Sequence, residues 1–277
     1  MPSAFLPDRA FVRLAGAETE HFLQNLITTD LGSLGENELK PGALLTPQGK
    51  ILFDFLISRH GDGFLIDIRA DQLDAFIRRM TMYKLRAAVT IEALSETGAT
   101  VTWGEAGDGV IDQRFALAGT EMRRQVGKIG EASDRAPYDA LRILHGVPES
   151  GADYALQDAF PHDVLFDKSG GVSFRKGCYV GQEVVSRMQH RSTARRRVVI
   201  VSAAGALPLS GADLTIGGRP IGTLGTIAGE RGLAIIRIDK AGEAMAAGLP
   251  ILAGDVPVSV ALPAWSGLNF PTTAEDA

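Results

Sequence analysis

The sequence predicts an α+β protein with largely antiparallel sheets, followed by a separate small β-barrel or sandwich. Three observations carry this reading. Strand-like apolar segments in the first half are joined by tight glycine turns, as where Ile51 to Ser58 returns through His60-Gly61-Asp62-Gly63 into Phe64 to Ile68. Helical-period runs are interspersed among these hairpins, which fits segregated α and β elements with antiparallel pairing. After Arg197 the texture changes to short strands with glycine-rich turns.

In chain order, Ala10 to Leu14 reads as a strand closed by Gly16. Glu18 to Leu31 reads as a helix with Phe22, Leu23, Leu26 and Ile27 on one face. Pro47-Gln48-Gly49-Lys50 is a turn into the first hairpin. Asp71 is placed to cap a helix in which Leu73, Phe76, Ile77 and Met80 repeat at helical spacing. Ala88 to Ala93 is strand-like. From Glu105 to Glu131 glycines break the pattern into short strands and loops. Order resumes over Tyr138 to Leu144, and Gly151 to Phe166 reads as a loop over the surface. The last part reads as strands over Val198 to Ser202, Asp213 to Ile216, Arg219 to Thr226, Gly232 to Ile238 and Val256 to Leu262. A short helix over Asp239 to Gly248 is capped by the aspartate and stopped by the glycine. The residues from Pro271 are small, polar and acidic, and a flexible tail is expected.

The 277 residues suffice for two or three compact units. Hydrophobic residues at 45% and charged residues at 22% are ordinary for a globular protein. A net charge of -5 means that any polyanion partner needs a local basic patch. The single cysteine rules out an internal disulfide and a self-contained four-cysteine cluster site, and suits a reducing compartment. Neither a secretory signal nor an apolar run long enough to span a bilayer is seen, so the expectation is a cytoplasmic protein with no membrane association.

That cysteine lies in Lys176-Gly177-Cys178-Tyr179-Val180-Gly181-Gln182-Glu183, directly before a helix-like run from Gln182 to His190. A thiolate at such a helix start would be stabilised by free backbone N–H groups and the helix dipole. A small buried hydrophobe is the alternative for a lone cysteine. Arg175, Lys176, Arg187, Arg191, Arg195, Arg196 and Arg197 lie close by in sequence, and Glu183 is the only acid between Ser169 and Ile200. Arginine forks in such a run bind carboxylates or phosphates, so a carboxylate-bearing ligand or RNA would suit it; a solvated strand start is the alternative. Glu183 and Arg187 are four apart, the spacing of a helix ion pair. Tyr138 is placed to stack on a ligand ring or to anchor the core. The histidines at 21, 60, 145, 162 and 190 show no metal-ligand spacing, and no metal site is expected. No nucleophile elbow or phosphate-binding loop motif is found.

The octapeptide around Cys178 resembles the signature of the folate-binding YgfZ family, relatives of the glycine-cleavage T-protein aminomethyltransferases. Further stretches agree in order. His21-Phe22-Leu23-Gln24-Asn25-Leu26-Ile27-Thr28-Thr29-Asp30 resembles the family's opening helix, and Leu45-Thr46-Pro47-Gln48-Gly49-Lys50-Ile51 its first turn and strand. Tyr83-Lys84-Leu85-Arg86 resembles the end of its next helix, and Leu141-Arg142-Ile143-Leu144-His145-Gly146-Val147-Pro148 its central strand and turn.

The resemblance implies interleaved α+β subdomains with antiparallel sheets around a central crevice over residues 1–192, a C-terminal β-barrel over 193–266 and a tail over 267–277. It implies a tetrahydrofolate-binding accessory factor for iron–sulphur cluster assembly or repair. Its partners would be cluster enzymes or carrier proteins, some clients being enzymes that modify tRNA. Cys178 would be the working thiol and a transient cluster contact. Folate would be held among Tyr138, Arg142, Lys176, Tyr179, Gln182, Glu183 and Arg187. Transfer enzymes of the T-protein type carry an acidic pair where this chain has Phe53-Asp54, and a pterin-holding glutamate where it has Leu144. An accessory role is therefore the leading expectation. The alternatives are a folate-dependent one-carbon transferase with Asp54 as its acid/base group, and an RNA-binding module using the arginine run.

Overall fold

The computed structural model describes residues 2–104, 107–131, 134–191 and 194–271. The chain forms two compact units that interleave in sequence: Met1–Tyr138 with Phe166–Gln182, and Asp139–Leu165 with Glu183–Ala277.

The first unit contains β1 (Ser3–Leu6), β2 (Arg9–Ala15), α1 (Thr19–Gln24), β3 (Glu38–Leu45), β4 (Ile51–His60), β5 (Gly63–Arg69), α2 (Leu73–Lys84), β6 (Thr90–Ala93), β7 (Ala99–Trp103), β8 (Val110–Asp112), α3 (Gln113–Ala116) and β9 (Met122–Val126). They build a nine-stranded sheet in the order β1-β7-β9-β8-β3-β4-β5-β2-β6. Its pairings are antiparallel except β3 with β8. Alternation along β4 sends Phe53, Phe55 and Ile57 to one face, where they join Phe22, Leu23, Phe76 and Met80 in the core. The Phe76 ring lies 5.6 Å from Phe53 and 5.7 Å from Phe55, which seats α2 on the sheet.

Several expectations change here. The first helix ends at Gln24, because Ile27 bridges to Leu44 and Thr28 donates its N–H to Ala43 O, drawing the chain onto the sheet. Asp71 does not cap α2; it sits in the preceding 3-10 turn, paired to Arg69 at 2.5 Å, and Gln72 is the N-cap. The strand after α2 begins only at Thr90.

The boundary between the units falls at Tyr138–Asp139, inside α4 (Ala136–His145), at Leu165–Phe166, and again at the start of α5 (Gln182–His190). Leu141 to Leu144, expected as a strand, is part of α4; a short apolar run does not separate strand from helix, and Tyr138 and Arg142 are buried at i, i+4 spacing. Gly146, at φ +67, ends that helix. Gly151 to Phe166 has no regular elements, as expected, but is not a surface loop: Ala159, His162, Asp163, Val164 and Leu165 are buried.

The rest of the second unit is a closed barrel of β10 (Arg196–Ala203), β11 (Asp213–Ile216), β12 (Arg219–Ala228), β13 (Arg231–Arg237), β14 (Ile251–Ala253) and β15 (Val256–Ala261), with α6 (Ile238–Ala246) after β13. β15 pairs back onto β10, so no sheet edge remains. Asp239 does not cap α6, whose N-cap is Arg237; the two pair at 2.5 Å. The tail residues 267–271 are anchored, with Phe270 against the barrel core and Leu268 N–H donated to Ser266 Oγ. The remainder of the expected tail, 272–277, lies outside the described residues.

Candidate functional site

The cysteine loop belongs to the 166–182 segment of the first unit, and its anchors come from the stretch after α1. Thr28 Oγ1 donates to Gly171 O at 2.6 Å, and Ser173 N donates to Thr28 O at 3.0 Å. Ser173 Oγ then accepts from Arg175 N and Lys176 N. The Lys176 ammonium turns inward, donating to Ile27 O and Thr29 O at 2.8 Å each. Burial pushes its pKa down to about 8. The same ammonium lies 5.5 Å from the Tyr179 ring centroid. Tyr179 is buried, its hydroxyl has no partner among the described residues, and burial pushes its pKa up to about 12.

On the far side of the cysteine, Gln182 Oε1 accepts from Tyr179 N and Gln182 N donates to Tyr179 O at 3.2 Å. Gly181 completes that turn at φ +79, where a Cβ would stand 2.6 Å from Thr46 O and 3.1 Å from Gly49 Cα. Three stretches singled out in the sequence, around Thr28, Gly49 and Cys178, therefore meet in one place. Cys178 itself is a free, exposed thiol between these clamps. The helix that follows, α5, begins at Gln182 as the sequence predicts, four residues after the cysteine. Lys176, Tyr179 and Gln182 act as braces of the loop.

The other expected ligand contacts are divided between the two units, Tyr138 in the first and Arg142, Glu183 and Arg187 in the second. Glu183 and Arg187 pair at 2.5 Å within α5, with side chains 86% and 53% exposed, an ordinary surface pair. Tyr138 is fully buried, its ring 6.0 Å from Phe115 and faced by the Arg135 guanidinium at 5.7 Å. Arg142 is also fully buried, donating to Asp139 Oδ1, Val147 O, Asp153 Oδ2 and Thr226 Oγ1 at 2.8–3.1 Å. Neither is available to hold a pterin, and Leu144 offers no hydrogen bond. Tyr138 and Arg142, each fully buried, do not fit the pterin-holding roles the resemblance gives them.

The arginine run is dispersed as well. Arg197 is buried and donates to His162 O at 2.6 Å, and Arg196 pairs with Asp158 at 3.2 Å. Only Arg175, Arg187, Arg191 and Arg195 remain exposed. Among the described residues no group of His, Cys, Asp and Glu is arranged to hold a metal, and no helix is long and apolar enough to cross a membrane.

The sequence reading missed a cavity of about 290 Å³ in the first unit, lined by Phe11, Leu39, Ser58, Leu65, Asp67 and Arg124 among others. Asp67 is buried between two guanidinium groups, with Arg9 Nε at 2.6 Å and Arg124 Nε at 2.5 Å. Burial alone would raise its carboxyl, but Arg124 and Arg9 overcome that and hold it below the usual range. The signal lay in the strand itself, where one acid interrupts the run Leu65-Ile66-Asp67-Ile68. The second unit has a more polar cavity of about 520 Å³, lined by residues 151–155, Asp158, Arg196 and strands β12 and β13.

Residues 195–268 match the family model described as CAF17, C-terminal beta-barrel domain. The chain is 30% identical over 236 residues to the iron–sulphur cluster assembly factor IBA57 homolog, mitochondrial, of Coccidioides immitis, a match covering 71% of this chain and 55% of that protein. It is 29% identical over 273 residues to iron–sulphur cluster assembly factor IBA57, mitochondrial, of Mus musculus, covering 84% and 76%. The chain thus spans about half the length of the Coccidioides immitis relative. The crystal structure of glycine cleavage system aminomethyltransferase T from Bartonella henselae superposes with a TM-score of 0.70 at 16% identity, covering 95% of this chain and 86% of that one. The fold is therefore the T-protein fold, and the homologous proteins are named as cluster assembly factors. The expectation of a cytoplasmic protein is overturned, since these relatives are named as mitochondrial.

Proposed function

We propose that the chain is an accessory factor in iron–sulphur cluster assembly, with Cys178 as its working thiol. The observation that carries this is an exposed thiol on a loop fixed on both sides, by Lys176 and Ser173 before it and by Gly181 and Gln182 after it. Preorganisation of this kind is unnecessary for a packing residue and useful for a metal ligand. The relatives' names support the wider role.

The chemistry is short. The thiol loses its proton to solvent and the thiolate becomes one ligand of an incoming cluster, which is cargo and not a resident cofactor. A cluster needs further thiolates, and this chain has one cysteine, so a carrier or client protein supplies the rest.

The test uses a deletion strain in which an iron–sulphur enzyme has lost activity. The wild-type gene restores it, and Cys178→Ser fails to do so while the purified variant unfolds at the wild-type temperature. Full restoration by Cys178→Ser rejects the thiol. Failure of the wild-type gene to restore any cluster enzyme rejects the accessory role.

A further inference from the structure

The end of α2 breaks a backbone rule without an internal return. Lys84 O accepts from Ala87 N at 2.8 Å, closing a four-residue turn. Leu85 occupies its second position at φ 48 and ψ -104. These are the dihedrals of the first central residue of a type II′ turn, a place dominated by glycine. A leucine there is strained, and this one is 87% exposed. Met82, one turn back on the helix, is 68% exposed. The opposite face of α2 explains neither, because Phe76 and Met80 already fill the contact with the sheet.

The surroundings of the two apolar side chains are cationic. Arg78 and Arg79 precede Met82 at i−4 and i−3, so they share its face, and Lys84 and Arg86 flank Leu85. None of the four side chains makes an ion pair or side-chain hydrogen bond among the described residues. Asp74 is the only acid on the helix. In a chain of net charge -5 this reverses the local field.

We propose that the α2 end and the 84–87 turn form a docking knob for an acidic partner protein, with Leu85 and Met82 entering an apolar socket whose rim carries carboxylates. Strain is kept at a position where the side chain is used by something outside the chain. A lipid surface fits less well, because the apolar face of α2 is spent on its own core and two side chains alone remain for insertion. This surface goes beyond the thiol assignment and does not depend on it.

Leu85→Gly separates fold from function, because glycine relieves the turn while removing the knob. A photo-crosslinking amino acid is placed at Met82, and at the still more exposed Leu209 as control. Proteins crosslinked in cells are identified, purified and titrated by calorimetry. The expected result is an acidic protein crosslinked from position 82 and not from 209. Its Kd for Leu85→Gly rises tenfold or more, while the variant's unfolding temperature stays level or rises. Arg78→Glu with Arg86→Glu raises Kd and flattens its salt dependence, whereas Cys178→Ser binds as wild type. No adduct specific to position 82, or a Kd unmoved by Leu85→Gly, overturns the proposal. So does binding to vesicles of 30% phosphatidylglycerol in phosphatidylcholine that Leu85→Gly abolishes, which would make the knob a lipid contact.

Discussion

Replacing Arg142 by methionine asks most directly whether that side chain holds the fold or a ligand. The guanidinium is fully buried and donates to two carboxylates, a carbonyl and a hydroxyl. Its main ionic partner, Asp153, is equally shielded and also accepts from the N–H groups of Glu149 and Thr226 at 2.8 and 2.7 Å. Methionine fills much of the volume but leaves the Asp153 charge without a counter-ion. Breaking a buried pair in this one-sided way costs about 3–5 kcal/mol, a large part of the ~5–15 kcal/mol that holds a domain together. For a unit of this size the unfolding midpoint falls by about 10–20 °C. Differential scanning calorimetry reads this directly, and Arg142→Met with Asp153→Asn recovers much of the loss because the stranded charge is gone. A variant that unfolds within about 2 °C of wild type but has lost tetrahydrofolate binding would refute the structural reading and return Arg142 to the ligand.

Three other outcomes are expected. Asp163 has its carboxyl pushed up to about 6, chiefly by burial, so the folded state takes up a proton more readily than the unfolded one. Stability therefore falls as pH rises from about 4 to about 6 and is level above that; Asp163→Asn removes this slope in pH-dependent urea unfolding, and an unchanged slope contradicts the burial argument. Gly181→Ala forces a Cβ against Thr46 O at a positive φ and destabilises by about 1–3 kcal/mol in urea titration, with faster alkylation of Cys178 as the loop loosens. Glu183→Ala or Arg187→Ala shifts stability by less than about 0.5 kcal/mol, as for any exposed i, i+4 pair, and a larger change would show that the pair is not solvated.

The barrel strands were legible because alternation and glycine turns repeat closely there; Asp213–Ile216 agrees with the sequence reading residue for residue. What was lost depended on distant partners. The 141–144 run reads as a strand until Arg142 is seen at helical spacing from Tyr138, held by Asp153 and, 84 residues away, by Thr226. The first helix looked long because nothing local marks where Ile27 leaves it for the sheet. The motif stretches around Thr28, Gly49 and Cys178 could be named but not joined, since what joins them is a carbonyl approach to Gly181 and an inward-turned lysine. Asp67 was visible as an oddity, and its arginine partners lie on strands 57 and 58 residues away.

The tie between Thr28 and Gly171 spans 143 residues, which has a consequence for how the protein is made. On a ribosome the chain emerges from its N-terminus, so the first unit has most of its sheet long before it receives the 166–182 segment. In the interval Thr28, Ile27 and Thr29 lack the hydrogen-bond partners that this segment brings. The thiol loop is thus the last piece of its unit to be delivered during translation. An arrested nascent chain ending near Val126 would contain every strand of that unit and still lack the cysteine.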